Sequence, residues 1–406
     1  MRILAVTPYY KPAYQFGGPV KSIDALCEGL AHAGAKVTVF TTNAGCESDP
    51  AASPGSTYDE ESGVRIVRFA TSRLAPSRYF YSPPLGRAIE KSLLSYDVLY
   101  LSATWTYPFV VGAQTALSYR VPYVISPRGS FMRCSLGQKW LKKRIYWAAL
   151  ERRLVAGAFA VHCTARLEQR QTETFLGSVR TVVIPNAVRD PLCDRAIAFG
   201  RARRRLGIRL GDSLSIFVGR LHPEKRVGAT IQAFSRVLQR LPNAYLAVAG
   251  GDDGDGVNAQ KTARALGISN RVLFMGLLSR DELAELYRDA EMLALLSSRE
   301  NFGMSAAEAM YAGVPVLLNK VVGLADEVEE CGGGVVVGDS IEEATDAWSS
   351  LLMNPARKEI GERGRRFAVA RFSQDRVATE MLGLFQEAAD KSRRPPSLGG
   401  RSKDAD

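Results

Sequence analysis

The chain has 406 residues, 46% hydrophobic, 23% charged and 9% aromatic, enough for two or three domains with their own cores; this ordinary mixture excludes collagen-like, disordered and disulfide-scaffold classes. Fifty-three Lys and Arg against 42 Asp and Glu leave a net charge of +11, which favours anionic partners: nucleic acid, phosphorylated metabolites or an acidic membrane surface. Six cysteines (Cys27, Cys46, Cys134, Cys163, Cys193, Cys331) without C-x-x-C spacing argue against a structural zinc or a redox pair, and no apolar run approaches the roughly 18 residues that span a bilayer.

From the amino end, short apolar runs predict strands at residues 3–7, 36–41, 64–69, 98–101, 123–126, 158–162 and 181–184. Helical periods between them cover 20–33, 113–119 and 138–155. The first strand stops at Pro8 with Lys11 beyond, unlike a signal peptide, so a soluble, cytoplasmic protein is expected. The second half repeats the theme, with strands at 214–218, 245–249, 272–275, 292–295, 314–317 and 334–337 and helices such as 227–240 and 281–289. Such alternation predicts βαβ units around parallel sheets. The fold class is therefore α/β: two doubly wound, Rossmann-like domains facing each other across a cleft. Residues 1–190 form the first and 191–370 the second, with the break at 185–211. A helix over 371–390 packs back toward the first domain, and Pro395-Pro396 and Gly399-Gly400 mark 391–406 as a disordered tail. Ligands of such sheets sit at the carboxyl ends of the strands.

The segment from Ser297 to Val316 carries the strongest chemical signal: strand, loop, short helix, strand. Gly303 permits close backbone approach, Ser305 is a good N-cap, and Gly313 and Pro315 end the helix. Free N–H groups at its start would form an anion site between Glu300 and Glu308. Ser305-x-x-Glu308 is also a capping box, in which Glu308 would only satisfy the backbone. The whole string, Glu300-x-Phe302-Gly303-Met304-Ser305-x-x-Glu308, resembles the Glu-x7-Glu motif of retaining GT-B glycosyltransferases, family 4, also called glycosyl transferases group 1. That resemblance implies that Glu300 lies near a donor sugar, that Glu308 binds a nucleotide ribose, and that Phe302, Gly303, Met304 and Ser305 contribute to donor binding.

Gly219-Arg220-Leu221-His222-Pro223-Glu224-Lys225 looks like the same family's Gly-Arg-Leu-x-x-x-Lys loop, in which Arg220 and Lys225 would clamp the donor diphosphate. Fixed cations suit a leaving group whose negative charge grows; a pair of solvated surface cations is the alternative. Gly17-Gly18 resembles the Gly-rich loop against the donor phosphates, although a plain turn also explains it. Ile184-Pro185-Asn186-Ala187-Val188 resembles the family's turn before the interdomain linker, and Leu273–Gly276 with residues 281–287 its nucleobase-side loop. The likeness extends to about residue 390. It departs at Tyr100 and Ser102, where many relatives carry histidines; the resemblance implies that a histidine in this area touches the donor sugar. Either another group such as Arg128 fills that space, or the chain manages without one; Arg128 and Asn186 are candidate acceptor or sugar contacts. Of the three histidines, His32 belongs on the surface of the first helix, His162 ends a strand near the cleft, and His222 shapes a turn.

The loop Gly250–Gly256 has acids but no Glu at calcium-loop spacing, and a plain post-strand loop explains it. Between residues 128 and 153 stand eight Lys or Arg and one acid, Glu151. On a helical wheel Lys139, Lys142, Lys143, Tyr146 and Arg153 share a face beside a stripe of Leu136, Trp140, Trp147 and Leu154. The segment Gln138 to Arg153 suits contact with an acidic membrane, or equally a core-packed helix with a basic outer side. The expected function is hexosyl transfer from a nucleotide diphosphate sugar to a saccharide or lipid-linked acceptor in envelope or exopolysaccharide synthesis. No metal, other cofactor or nucleic-acid partner is implied. An inactive nucleotide-binding protein on the same scaffold is the alternative, motivated by the missing histidines.

Overall fold

The computed structural model describes residues 1–46, 57–59, 62–72, 74–137, 140–192 and 197–393. Lys139, Cys193 and tail residues 394–406 lie outside the described residues. Near-continuous apolar runs become buried parallel strands. The strands of the first half are β1 (Arg2–Thr7), β2 (Lys36–Thr42), β3 (Thr57–Asp59), β4 (Val64–Phe69), β5 (Val98–Ser102), β6 (Tyr123–Ser126), β7 (Ala160–Cys163) and β8 (Thr181–Val183). They form one sheet in the order β3-β4-β2-β1-β5-β6-β7-β8, parallel except for β3 against β4. The second half contributes β9 (Ser213–Val218), β10 (Ala244–Ala249), β11 (Val272–Gly276), β12 (Met292–Leu295), β13 (Val316–Asn319) and β14 (Gly334–Val337), in the order β11-β10-β9-β12-β13-β14. Each order reverses once, between β1 and β5 and between β9 and β12. Those two switch points fix where a ligand crevice opens.

The helix Gln374–Arg393 returns to the first half. Val188 N bonds Phe372 O at 2.8 Å where the chain crosses back, and Val377, Met381 and Phe385 join the core beneath Ile23 and Leu26. Gly29 makes that packing possible: a Cβ there would lie 3.0 Å from Gln374 O and 3.1 Å from Ala378 Cβ. Among the described residues no helix is long and apolar enough to cross a membrane.

Three expectations are corrected. The short antiparallel β3 was not foreseen. The helix expected from 113 starts at Tyr107, because Thr106 caps it, accepting from Phe109 N, and Pro108 suits its first turn. The basic segment is helical but not a regular α-helix. Beyond Arg133–Gly137, its described residues run without a break through Trp140–Tyr146, a π-turn at Trp147–Glu151 and Arg152–Ala156. The wider turn breaks the 100° phase of the wheel, so Trp147 and Leu154 turn into the core while Trp140 stays out. Tyr146 packs inward against Tyr79 and Trp105. Lys143 folds back, its Nζ donating to Ser135 O.

Candidate functional site: the interdomain crevice

The loops after β9 and β12, neighbours at the second switch point, carry the predicted clamp. Arg220 follows β9, and its guanidinium pairs with Asp253 from the loop after β10. Lys225 ends a single turn, Pro223–Lys225, capped by His222, whose Nδ1 accepts from Glu224 N at 3.2 Å. The half-buried Lys225 Nζ contacts Glu300 Oε2 in the loop after β12. Burial first, and the Arg220 guanidinium second, push the Lys225 ammonium down to about 8, with the Glu224 carboxylate acting against that shift.

Phe302 turns inward and packs on Phe372, ring centroids 5.5 Å apart, so only its main chain remains for a donor contact. Gly303, in the left-handed region at φ +101°, reverses the chain and is itself the N-cap of helix Met304–Tyr311. Ser305 is therefore already helical and is not the cap. The capping box does not form either. Glu308 Oε2 accepts from Tyr287 Oη at 2.9 Å and its Oε1 from Lys21 Nζ at 3.2 Å. No side chain caps this helix start, which leaves its first N–H groups for an anion.

The first half closes on these groups. Gly17 has φ +78°, and a Cβ there would lie 3.2 Å from Arg220 Nε; one at Gly18 would lie 3.2 Å from Met304 Cγ. The amino ends of helices Gly18–His32 and Met304–Tyr311 thus meet, and Lys21 of the one reaches Glu308 of the other. Gly129, after β6, abuts Asn301, whose Nδ2 donates to Thr164 Oγ1 at 2.9 Å. Arg128 donates to Asn186 Oδ1, which occupies that side chain. His162 is buried; Nε2 bonds Ile184 O at 2.7 Å and Nδ1 bonds Tyr100 Oη at 3.1 Å. Burial and the Arg128 charge push its pKa down to about 3, so the ring is neutral. His32 is exposed on the first helix.

Sequence reasoning missed Lys21 and Asp253, and it placed Tyr287 in the nucleobase-side segment without its contact to Glu308. Asp253 lay in a loop taken as a plain turn; its signal was an acid at the carboxyl end of a strand adjoining β9. Lys21 and Tyr287 reach Glu308 from other elements, and Lys21 carries no local signal. Among the described residues no three His, Cys, Asp or Glu side chains converge as a metal site.

Residues 17–187 match the family described as "Glycosyl transferase 4-like domain" and residues 199–367 that described as "Glycosyl transferases group 1". The D-inositol 3-phosphate glycosyltransferase of Salinispora tropica is 34% identical over 209 residues, which are 49% of this chain and only 43% of that protein. An uncharacterized glycosyltransferase of Methanocaldococcus jannaschii is 26% identical over 96% of this chain and 99% of its own. Among solved structures, HepE of Anabaena in complex with UDP and glucose superposes with a TM-score of 0.75 at 20% identity, covering 95% of this chain and 100% of that one. The chain carries, in order, a glycosyl transferase 4-like domain and a glycosyl transferases group 1 domain on a GT-B scaffold.

Proposed function

We propose that the chain is a hexosyltransferase, moving a sugar from a nucleotide diphosphate sugar to a saccharide or lipid-linked saccharide acceptor. The transfer retains anomeric configuration, needs no bound metal and serves cell-envelope or exopolysaccharide synthesis in the cytoplasm. One observation carries this reading: Arg220, Lys225, Glu300, Glu308 and an uncapped helix start converge at one switch point, facing Gly17 and Gly18. Arg220, Lys225 and the N–H groups at Gly303–Ser305 hold the diphosphate. As the glycosidic bond breaks, charge grows on the leaving phosphate, and these fixed donors stabilise it. Lys225 exchanges its Glu300 contact for a phosphate oxygen, which frees Glu300 for the donor sugar. Glu308, oriented by Tyr287, takes the ribose hydroxyls.

The test is UDP and GDP titration with donor-hydrolysis assays on Glu300→Ala, Lys225→Ala and Glu308→Ala. Loss of hydrolysis in all three, with weaker nucleotide binding in the last two, is expected. Wild-type behaviour in all three overturns the assignment, whereas nucleotide binding without turnover in the wild type favours an inactive binding protein.

The acceptor side includes a surface suited to acidic lipid. Trp140 (59%), Leu141 (56%), Ile145 (63%) and Leu150 (38%) are exposed together, among exposed Arg133, Lys142, Arg144, Arg152 and Arg153. Peripheral docking of this face on an anionic bilayer is part of the proposal.

A further inference from the structure

Arg128 follows β6 with φ +53°, a conformation that side chains rarely adopt. Its guanidinium is held by four uncharged oxygens. Nε donates to Ser102 Oγ (3.4 Å), Nη1 to Ser22 Oγ (3.0 Å) and Asn186 Oδ1, and Nη2 to Tyr100 Oη (3.3 Å). The arrangement uses four of the five N–H groups of the fork and leaves one on Nη2. Among the described residues no carboxylate pairs with it. Glu168, the buried acid nearby, is turned to Gly129 N (2.6 Å), Thr164 N (2.7 Å) and Thr164 Oγ1 (2.9 Å). Tyr100 accepts from Arg128 and donates its own O–H to Nδ1 of the neutral His162, so no second charge balances the first.

A half-buried cation without a counter-ion is desolvated at a cost that an incoming anion offsets. Its surroundings fix where that anion lies. Ser22 belongs to the start of helix Gly18–His32, whose N-cap Gly17 touches Arg220. Gly129, the next residue, touches Asn301 beside Glu300. The half-buried Tyr9 hydroxyl lies within reach of the charges of both Arg128 and Arg220.

We infer that Arg128 is a third cation of the clamp, supplied by the first half, and binds the terminal phosphate of the nucleoside diphosphate; this rests on the diphosphate reading of Arg220 and Lys225. Tyr100, Ser102, Ser22 and Asn186 are its positioning residues.

The experiment is calorimetric titration of the full chain with UDP against UMP and, in parallel, GDP against GMP. Arg128→Gln is expected to weaken the diphosphate about tenfold or more, as loss of a charge-assisted phosphate contact should, and to leave the monophosphate unchanged. Arg128→Lys, which keeps the charge but not the fork, is expected to fall between, and it decides in the same way should the glutamine variant not fold. An unchanged preference for diphosphate in both Arg128 variants, with that preference lost in Lys225→Ala, overturns this inference and leaves the clamp standing. Equal loss of mono- and diphosphate marks a merely structural role and overturns it as well. An unchanged preference in Lys225→Ala, or a wild type that binds neither diphosphate, overturns the clamp itself.

Discussion

Lys225 is held where burial and the Arg220 guanidinium disfavour the charge that a diphosphate needs, with Glu224 opposing them. Because the shift is downward, to about 8, the ammonium of the free protein is present below that pH and lost above it. Diphosphate affinity is therefore expected to fall above pH 8, approaching tenfold per pH unit, with a proton taken up on binding. UDP titrations from about pH 6.5 to 9.5, in buffers of different ionisation heat, read both effects. A flat profile removes Lys225 from the clamp. Lys225→Arg, which stays charged, should flatten the fall if it binds at all. Tyr287→Phe deletes the 2.9 Å hydrogen bond to Glu308 and is expected to weaken nucleotide binding about fivefold, the scale of one hydrogen bond, with the melting temperature nearly unchanged. Glu300, Glu308, Arg220 and Lys225 were picked out by resemblance to the family's two motifs, Glu-x7-Glu and Gly-Arg-Leu-x-x-x-Lys, and the fold brings their loops together. Lys21 and Asp253 were not legible, since each reaches the site from an element that only the tertiary fold brings near, and Tyr287 was placed in a nucleobase-side segment but not against Glu308.

The parallel strands were legible because both their faces are buried, which forces continuous apolar runs. The basic segment was misread because nothing local announces a π-turn. Glu151 closes that turn: its Oε1 accepts from Trp105 N at 2.6 Å while Oε2 is buried without a partner. Burial pushes its carboxyl up to about 8. A carboxyl raised in the fold contributes stability that is complete below its unfolded value and lost as pH rises toward 8. The melting temperature should thus decline from about pH 5 to 8, and Glu151→Gln should flatten part of that slope; an unaltered slope shows the carboxyl ionised in the fold. A second element depends on Asp24 of helix Gly18–His32. Buried, it pairs with Lys11 and Arg189, each at 2.7 Å, and accepts from Tyr10 Oη at 3.0 Å, tying the Gly17-Gly18 loop to the interdomain linker. Asp24→Ala removes one partner of a buried ion cluster, and a loss of about 3 kcal/mol is expected in denaturant unfolding. A loss below about 1 kcal/mol would mean that Lys11 and Arg189 find water instead.

At the scale of the molecule, the excess positive charge and the exposed apolar side chains coincide on one face of the first half, and that face connects to the crevice. Lys143, on the helix Trp140–Tyr146, donates to Ser135 O, and Ser135 Oγ accepts from Arg299 Nη2 at 2.7 Å, next to Glu300. An acceptor carried in a bilayer would meet the protein there, a few side chains from the reacting centre. The one acid of the segment, Glu151, is buried, so the outer face repels no anionic lipid. With Lys and Arg each contributing about 1 kcal/mol at an acidic surface and Trp140, Leu141 and Ile145 adding apolar burial, cosedimentation with phosphatidylglycerol vesicles is expected at low salt. Binding to neutral phosphatidylcholine vesicles should be much weaker, and added salt should reduce binding without abolishing it. Replacing Trp140, Leu141 and Ile145 together by Ser should lower vesicle binding about tenfold or more while UDP affinity stays as in the wild type, because none of the three touches the clamp. Lys142→Gln with Arg144→Gln should steepen the loss on acidic vesicles alone. Equal binding to neutral and acidic vesicles, or a triple variant that binds as the wild type does, would remove the membrane from this account and leave the exposed aromatic and aliphatic side chains to a protein partner.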